Sequence, residues 1–178
     1  QLAFHTVGLN RSVWVYDIQR KTVTRLTSDG QPWGAPVWTP DGKHVAFPWS
    51  KTGSAEIWWA AWDGSGKMEQ LTKTKPGQRT NSWTQDGKYL AFVESGGVTG
   101  LDIQVLRMAD RQVIPFAATK SNEAFPEFSP DGRWLAYASN ESGRNEVYVR
   151  SFPDGNRTLP ISSDGGMSPL WAPNGREL

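Results

Sequence analysis

The sequence has no cysteine, which excludes disulfides, zinc–thiolate sites and cysteine nucleophiles. It has two histidines, His5 and His44. No apolar run approaches the roughly 20 residues a helix needs to span a bilayer. Helical periodicity is nowhere convincing. Charge of one sign is also lacking. The 19 basic and 18 acidic residues leave a net +1, without the basic footprint that nucleic acid or anionic membrane would require. The Gln1-Leu2-Ala3-Phe4 start has no basic region followed by an apolar stretch, so no signal peptide is read there. No glycine-rich phosphate loop stands between a strand and a helix, so nucleotide binding has no support.

What is abundant is tryptophan, with ten residues, and it recurs in register with a repeat. Pro36-Val37-Trp38-Thr39-Pro40-Asp41-Gly42 returns as Asn81-Ser82-Trp83-Thr84-Gln85-Asp86-Gly87. It returns again as Pro126-Glu127-Phe128-Ser129-Pro130-Asp131-Gly132 and as Pro169-Leu170-Trp171-Ala172-Pro173-Asn174-Gly175. The turn glycines are 45, 45 and 43 residues apart, a spacing that marks a repeat architecture.

Each repeat reads as four short strands. In residues 35–72, Ala35 to Thr39 is the first strand, and the Pro-Asp-Gly turn leads to Val45-Ala46-Phe47. After a polar loop comes the aromatic strand Ile57 to Trp62, then a tight Asp63-Gly64 turn and a more polar edge strand, Met68 to Leu71. The second strands read Leu2-Ala3-Phe4, Val45-Ala46-Phe47, Leu90-Ala91-Phe92 and Leu135-Ala136-Tyr137. Alternation puts the bulky residues on one face and the alanine on the other, where a small side chain lets a neighbouring sheet pack closely. The expected fold is an all-β propeller of four-stranded antiparallel blades, about four blade equivalents in a single array. The repeats run 34–78, 79–123 and 124–166. A composite blade forms from 1–33 plus 167–178, in which the C-terminal strand completes the N-terminal sheet. A cut piece of a longer propeller, or pairing of two chains into a larger ring, are the other ways to satisfy the same pattern.

The run Ser/Thr-Pro-Asp-Gly-Arg/Lys-x-Leu/Val-Ala-Tyr/Phe, followed by Glu-Val/Ile-Tyr/Trp and then Asp-Gly, resembles the TolB-type, WD40-like propeller repeat. Residues 129–137 with 146–155 carry it most fully, and 39–47 with 56–64 nearly as well. The stretch Phe125 to Gly166 is similar to propellers found behind bacterial serine/threonine kinase domains. Repeats of this type also occur in prolyl-oligopeptidase-type peptidases and oligogalacturonate lyases. Gln85, Gln104 and Asn174 depart from the pattern. The resemblance implies a non-catalytic, extracytoplasmic bacterial module that engages a protein, peptide or small ligand. The alternative is the propeller portion of a larger enzyme. No cofactor is expected.

The residues offer little chemistry. His5 aligns with Pro48, four positions beyond His44, about 13 Å along a strand, so the two should lie near opposite ends and not share a metal. Glu56, Asp102 and Glu146 recur before the third strand, which points to backbone bonding. Asp41, Asp86 and Asp131 serve the hairpin turns. Asn10, Asn140 and Asn156 begin glycosylation sequons that are expected to be inert in a bacterial chain. Lys67, Lys73, Lys75 and Arg79 read as a solvated edge. In an up-and-down blade the tight turns share one end, and the variable loops share the other, where function tends to sit. The candidate binding residues at that loop end and channel mouth are Trp33, Gln78, Arg79, Glu123, Phe125, Met167 and Ser168. Asn140, Glu141 and Arg144 are further loop candidates.

Overall fold

A computed structural model describes residues 1–8, 11–51, 53–73, 77–97 and 100–178. Asn10 and Lys75 lie outside the described residues. Among those described there is no helix, and sixteen strands form four antiparallel sheets. The first sheet holds β1 (Leu2–His5), β2 (Val13–Asp17) and β3 (Thr22–Arg25). The second holds β4 (Gln31–Pro32), β5 (Val37–Trp38), β6 (His44–Ser50), β7 (Glu56–Ala61) and β8 (Glu69–Gln70). The third runs from β9 (Gly77–Trp83) through β10 (Tyr89–Gly97) and β11 (Gly100–Arg107) to β12 (Gln112–Ala117). The fourth runs from β13 (Glu123–Phe128) through β14 (Trp134–Ser139) and β15 (Glu146–Ser151) to β16 (Thr158–Pro160). Residues 169–171 belong to no strand, and the N-terminal sheet is three-stranded. The chain divides into two compact units, Gln1–Thr80 and Asn81–Leu178.

A proline in the first strand of a sheet interrupts it, because proline has no N–H for the ladder. In the second sheet β4 and β5 both pair with β6, and Gly34 to Pro36 fall between them. In the fourth, the register shifts between Ala124 and Glu127, around Phe125-Pro126. β9 has Asn81 at the corresponding place and runs through as one strand.

The hairpin turns are held by one hydrogen-bond pattern. Thr39, Thr84 and Ser129 place a hydroxyl 2.6–2.7 Å from Oδ1 of Asp41, Asp86 and Asp131. The same hydroxyls accept the amides of His44, Tyr89 and Trp134 at 3.0–3.1 Å. The turn glycine, at φ 67–69° in these three, supplies the left-handed residue. In the fourth copy Ala172 has no hydroxyl, yet its backbone bonds form, and Asn174 accepts the Arg176 amide at 2.9 Å.

Core packing follows the alternation in the second strands. In unit 2, Phe128, Leu135, Tyr137 and Tyr148 of the fourth sheet pack on Ala91, Ile103, Val105 and Ala117 of the third. In unit 1, Val45, Phe47 and Trp49 of the second sheet pack with Val13, Val15 and Ala3 of the first. The bulky face of one sheet thus lies on the alanine face of the sheet before it. Leu135 and Ala91 are both 0% exposed, leaving no room for a larger residue at position 91.

Candidate functional site

Antiparallel pairing places the first-to-second and third-to-fourth strand turns of each sheet at one end. The second-to-third loops and the connections between sheets gather at the other, here called the loop end. The tight-turn end is occupied by its own hydrogen bonds. The Lys88 ammonium and the Thr84 hydroxyl hold the Asp86 carboxyl down to about 2. The Ser129 hydroxyl and the Arg133 amide do the same for Asp131, also to about 2.

At the loop end of unit 2, Phe125 adopts φ 55° and Ser168, at the matching repeat position, φ 52°. Left-handed backbone is costly for a bulky residue, and such strain tends to collect at functional positions. Phe125 is nevertheless 40% exposed, and Met167 is 55% exposed, its sulfur receiving the Asn145 side-chain amide at 3.6 Å. Asn140 Oδ1 accepts the Asn122 amide at 2.8 Å, so this side chain stitches two loops together. Glu141 is exposed. Arg144 is committed within its own sheet, with Nε 2.7 Å from Glu146 Oε1 and Nη1 3.2 Å from Asp164, and a further bond to the Ser163 carbonyl. Glu146 also accepts the Ser162 hydroxyl and, at 3.0 Å, the Gly165 amide. These bonds, that of Ser162 foremost, hold its carboxyl below the usual range and make it the loop anchor its repeat position suggests.

Gln78 and Glu123, two residues proposed for the mouth, are each 1% exposed. Gln78 Oε1 accepts the Ile57 amide at 3.2 Å and bonds the Thr72 hydroxyl. Glu123 bonds the Thr119 amide and hydroxyl, while burial pushes its carboxyl above the usual range. Both side chains are spent on closing the preceding loop and present nothing to a partner. In unit 1, Trp33 is 51% exposed with the Arg11 guanidinium 5.9 Å from its ring centroid. Arg79 is exposed, and among the described residues its guanidinium has no hydrogen bond or ion pair.

Comparison with known proteins bears on this arrangement. No protein-family model matches the chain. A Protein TolB homolog of Chlorobium luteolum is 30% identical over 141 residues, 77% of this chain and 31% of that protein. The crystal structure of TolB from Acinetobacter baumannii superposes with a TM-score of 0.78 at 19% identity, covering 98% of this chain and 45% of that one. The repeats of this chain are TolB-type β-propeller repeats. An oligogalacturonate lyase solved with manganese has the same fold, with a TM-score of 0.68 at 16% identity over 93% of this chain and 49% of that one. The chain spans about a third of the length of the curated TolB relative.

Within the TolB-type repeat a second hydroxyl device escaped the sequence reading. Thr27, Thr72 and Ser162 follow the last strand of their sheets, and their hydroxyls accept the amides of Val13, Ile57 and Val147 at 2.8–3.0 Å. The signal was present as Leu26-Thr27, Leu71-Thr72 and Ile161-Ser162. His44 stands beside a tight turn and stacks on Trp59 at 4.4 Å, while His5 ends β1 at the loop end. Among the described residues no three His, Cys, Asp or Glu side chains gather to hold a metal. A cleft of about 400 Å³ in unit 2 is lined by Trp134, Val149, Leu159, Ile161, Trp171 and Leu178. Repeat alignment matches Trp171 to Phe128 and Leu178 to Leu135.

Arg11 is the residue the sequence reading missed. It lies in a loop of the N-terminal sheet, where the repeat alignment began too late to bring it in. The loop ends also differ in charge. In unit 1 the loop-end cations Arg11, Arg25, Lys51, Lys73 and Arg79 outnumber Asp29 and Glu56. In unit 2, Glu94, Asp102, Glu123, Glu141, Glu146 and Asp164 outnumber Lys120 and Arg144.

Proposed function

We propose that the chain is a non-catalytic propeller module that binds a protein or peptide partner through the loop ends of its sheets. One observation carries this reading. The exposed Trp33, Phe125, Met167 and Arg79 all lie at loop ends, whereas the polar side chains of the tight turns are consumed by the turns. Exposed aromatic, methionine and arginine side chains are the types that dominate binding surfaces. Similarity to proteins named Tol-Pal system protein TolB supports a protein partner and an extracytoplasmic setting. The refined set is Trp33, Arg79, Phe125, Met167 and Ser168, with Arg11 added and Gln78 and Glu123 assigned to the scaffold.

The test is a partner captured on the immobilised chain and re-measured against two variants. Arg79→Glu combined with Met167→Ala at the loop ends should weaken binding, and Lys43→Glu at the tight-turn end should not. Loss with the second variant alone, or with neither, would overturn the reading. The fold shared with oligogalacturonate lyase favours a second reading, a propeller within a larger enzyme. A catalytic domain encoded in the same open reading frame would decide for it.

A further inference from the structure

Arg11 stands over an exposed indole at the loop end of unit 1, and Arg79 lies near the glycine that follows that tryptophan. Arg11 Cζ lies 5.9 Å from the Trp33 ring centroid, within cation–π range. The next residue is Gly34, where a β-carbon would stand 3.8 Å from Arg79 Cγ. The stem of Arg79 therefore passes close to Gly34, one residue along the chain from the tryptophan. Among the described residues neither guanidinium is paired with a carboxylate. The other charges here are partly committed. Asp29 is held by Lys51 at 2.9 Å, and Arg25 donates to Ser12 Oγ at 3.0 Å and to the Ser28 carbonyl at 3.1 Å. Glu56 stands half-buried at the start of β7.

Resting on the loop-end reading above, we propose that this ridge binds an extended acidic peptide. Carboxylates of the peptide bond to Arg11 and Arg79, and an apolar or aromatic side chain between them lies on Trp33. Guanidinium forks match carboxylates in bidentate geometry, which an ammonium does not. The small number of cations, rather than the guanidinium fork, selects a peptide over a polyphosphate chain. A nucleic-acid backbone needs a run of cations, and here there are two unpaired guanidiniums, one over the indole and one near the following glycine.

The test uses three fluorescein-labelled peptides, alternating Glu-Tyr, Lys-Tyr and Ser-Tyr, titrated by fluorescence anisotropy. The Glu-Tyr peptide should bind in low salt and weaken several-fold as NaCl rises from about 50 to about 500 mM. The Arg11→Glu, Arg79→Glu double variant should lose at least about tenfold in affinity. Trp33→Ala should also weaken binding, and Lys43→Glu should leave it unchanged. All four positions are surface sites, and circular dichroism would verify the fold. Equal binding of the three peptides, or Glu-Tyr affinity untouched by the double variant, would overturn the proposal. If the Ser-Tyr or Lys-Tyr peptide binds instead and Met167→Ala abolishes it, the acidic-peptide proposal falls while loop-end binding stands. If no peptide shows an affinity sensitive to any loop-end variant, both fall.

Discussion

The Ser129 hydroxyl lies 2.6 Å from Asp131 Oδ1 and accepts the Trp134 amide at 3.0 Å. One side chain thereby joins the carboxylate of a hairpin turn to the strand that leaves it. The same relationship links Thr39 with Asp41 and Thr84 with Asp86, so it is a property of the repeat. Ser129→Ala should cost about 1–2 kcal/mol in urea denaturation, since the Trp134 amide loses its partner. The hairpin itself should survive, because Ala172 forms the same backbone bonds in the fourth copy.

Acid stability should report the carboxylates of these turns. Asp86 and Asp131 are held at about 2 in the folded chain, against an ordinary 3.8. A depressed value stabilises the fold above the unfolded value, and that contribution is lost as pH falls through the folded one. The window is from about pH 4 to about pH 2. Asp131→Asn, copying Asn174, should flatten the fall in stability across that window, and an unchanged slope would show that other groups set it.

Glu127 should act with the opposite sign. Burial alone raises its carboxyl from 4.5 to about 7. The folded chain holds the proton more tightly, so stability falls as pH rises from about 4.5 through 7. Glu127→Gln should therefore raise the melting temperature at pH 8 and change it little at pH 4. A gain of equal size at both values would exclude ionisation as the cause.

Ala91 meets the bulky face of the following sheet, with Leu135 and Tyr137 in the same cluster. Ala91→Leu should destabilise by about 1–3 kcal/mol through overpacking. Ala91→Gly should do less harm, because it leaves the spacing of the sheets intact.

Gly30 has φ +83°, and a β-carbon there would fall 2.5 Å from the Ser50 carbonyl and 2.6 Å from the Trp49 ring. That ring is pinned by its Nε1, which donates to the Asp29 carbonyl at 2.8 Å. Gly30→Ala should cost about 2 kcal/mol or more in thermal or urea unfolding. Gly53→Ala, with a similar φ of +99° but open space around it, should cost less.

Much of this molecule was legible in the repeat. The Leu-Ala-Phe/Tyr strands, the Asp-Gly turns and the bulky-on-small packing all follow from alternation and turn chemistry. The interruption of two first strands at Pro36 and Pro126 does not follow from them, since the sequence pattern reads Ala35 to Thr39 as one strand. The candidate site was legible only in part. Residue type pointed to Trp33, Arg79, Phe125 and Met167, and these are exposed. The same reasoning also chose Gln78 and Glu123, whose burial depends on partners brought in by folding. Gln78 bonds the amide of Ile57, 21 residues away.

The sequence by itself determined the all-β class, the strand phase and the turns, because each rests on interactions among residues close along the chain. Tertiary structure alone decided which polar side chains remain available. A glutamine or an arginine reads alike in sequence, whether a distant amide has claimed it or not. Arg144 is claimed by Glu146 and Asp164, whereas the guanidinium of Arg79 has no such partner among the described residues. Glu146 is a near neighbour of Arg144 in sequence, but Asp164 is 20 residues away, and that pairing is a product of folding which no local pattern encodes.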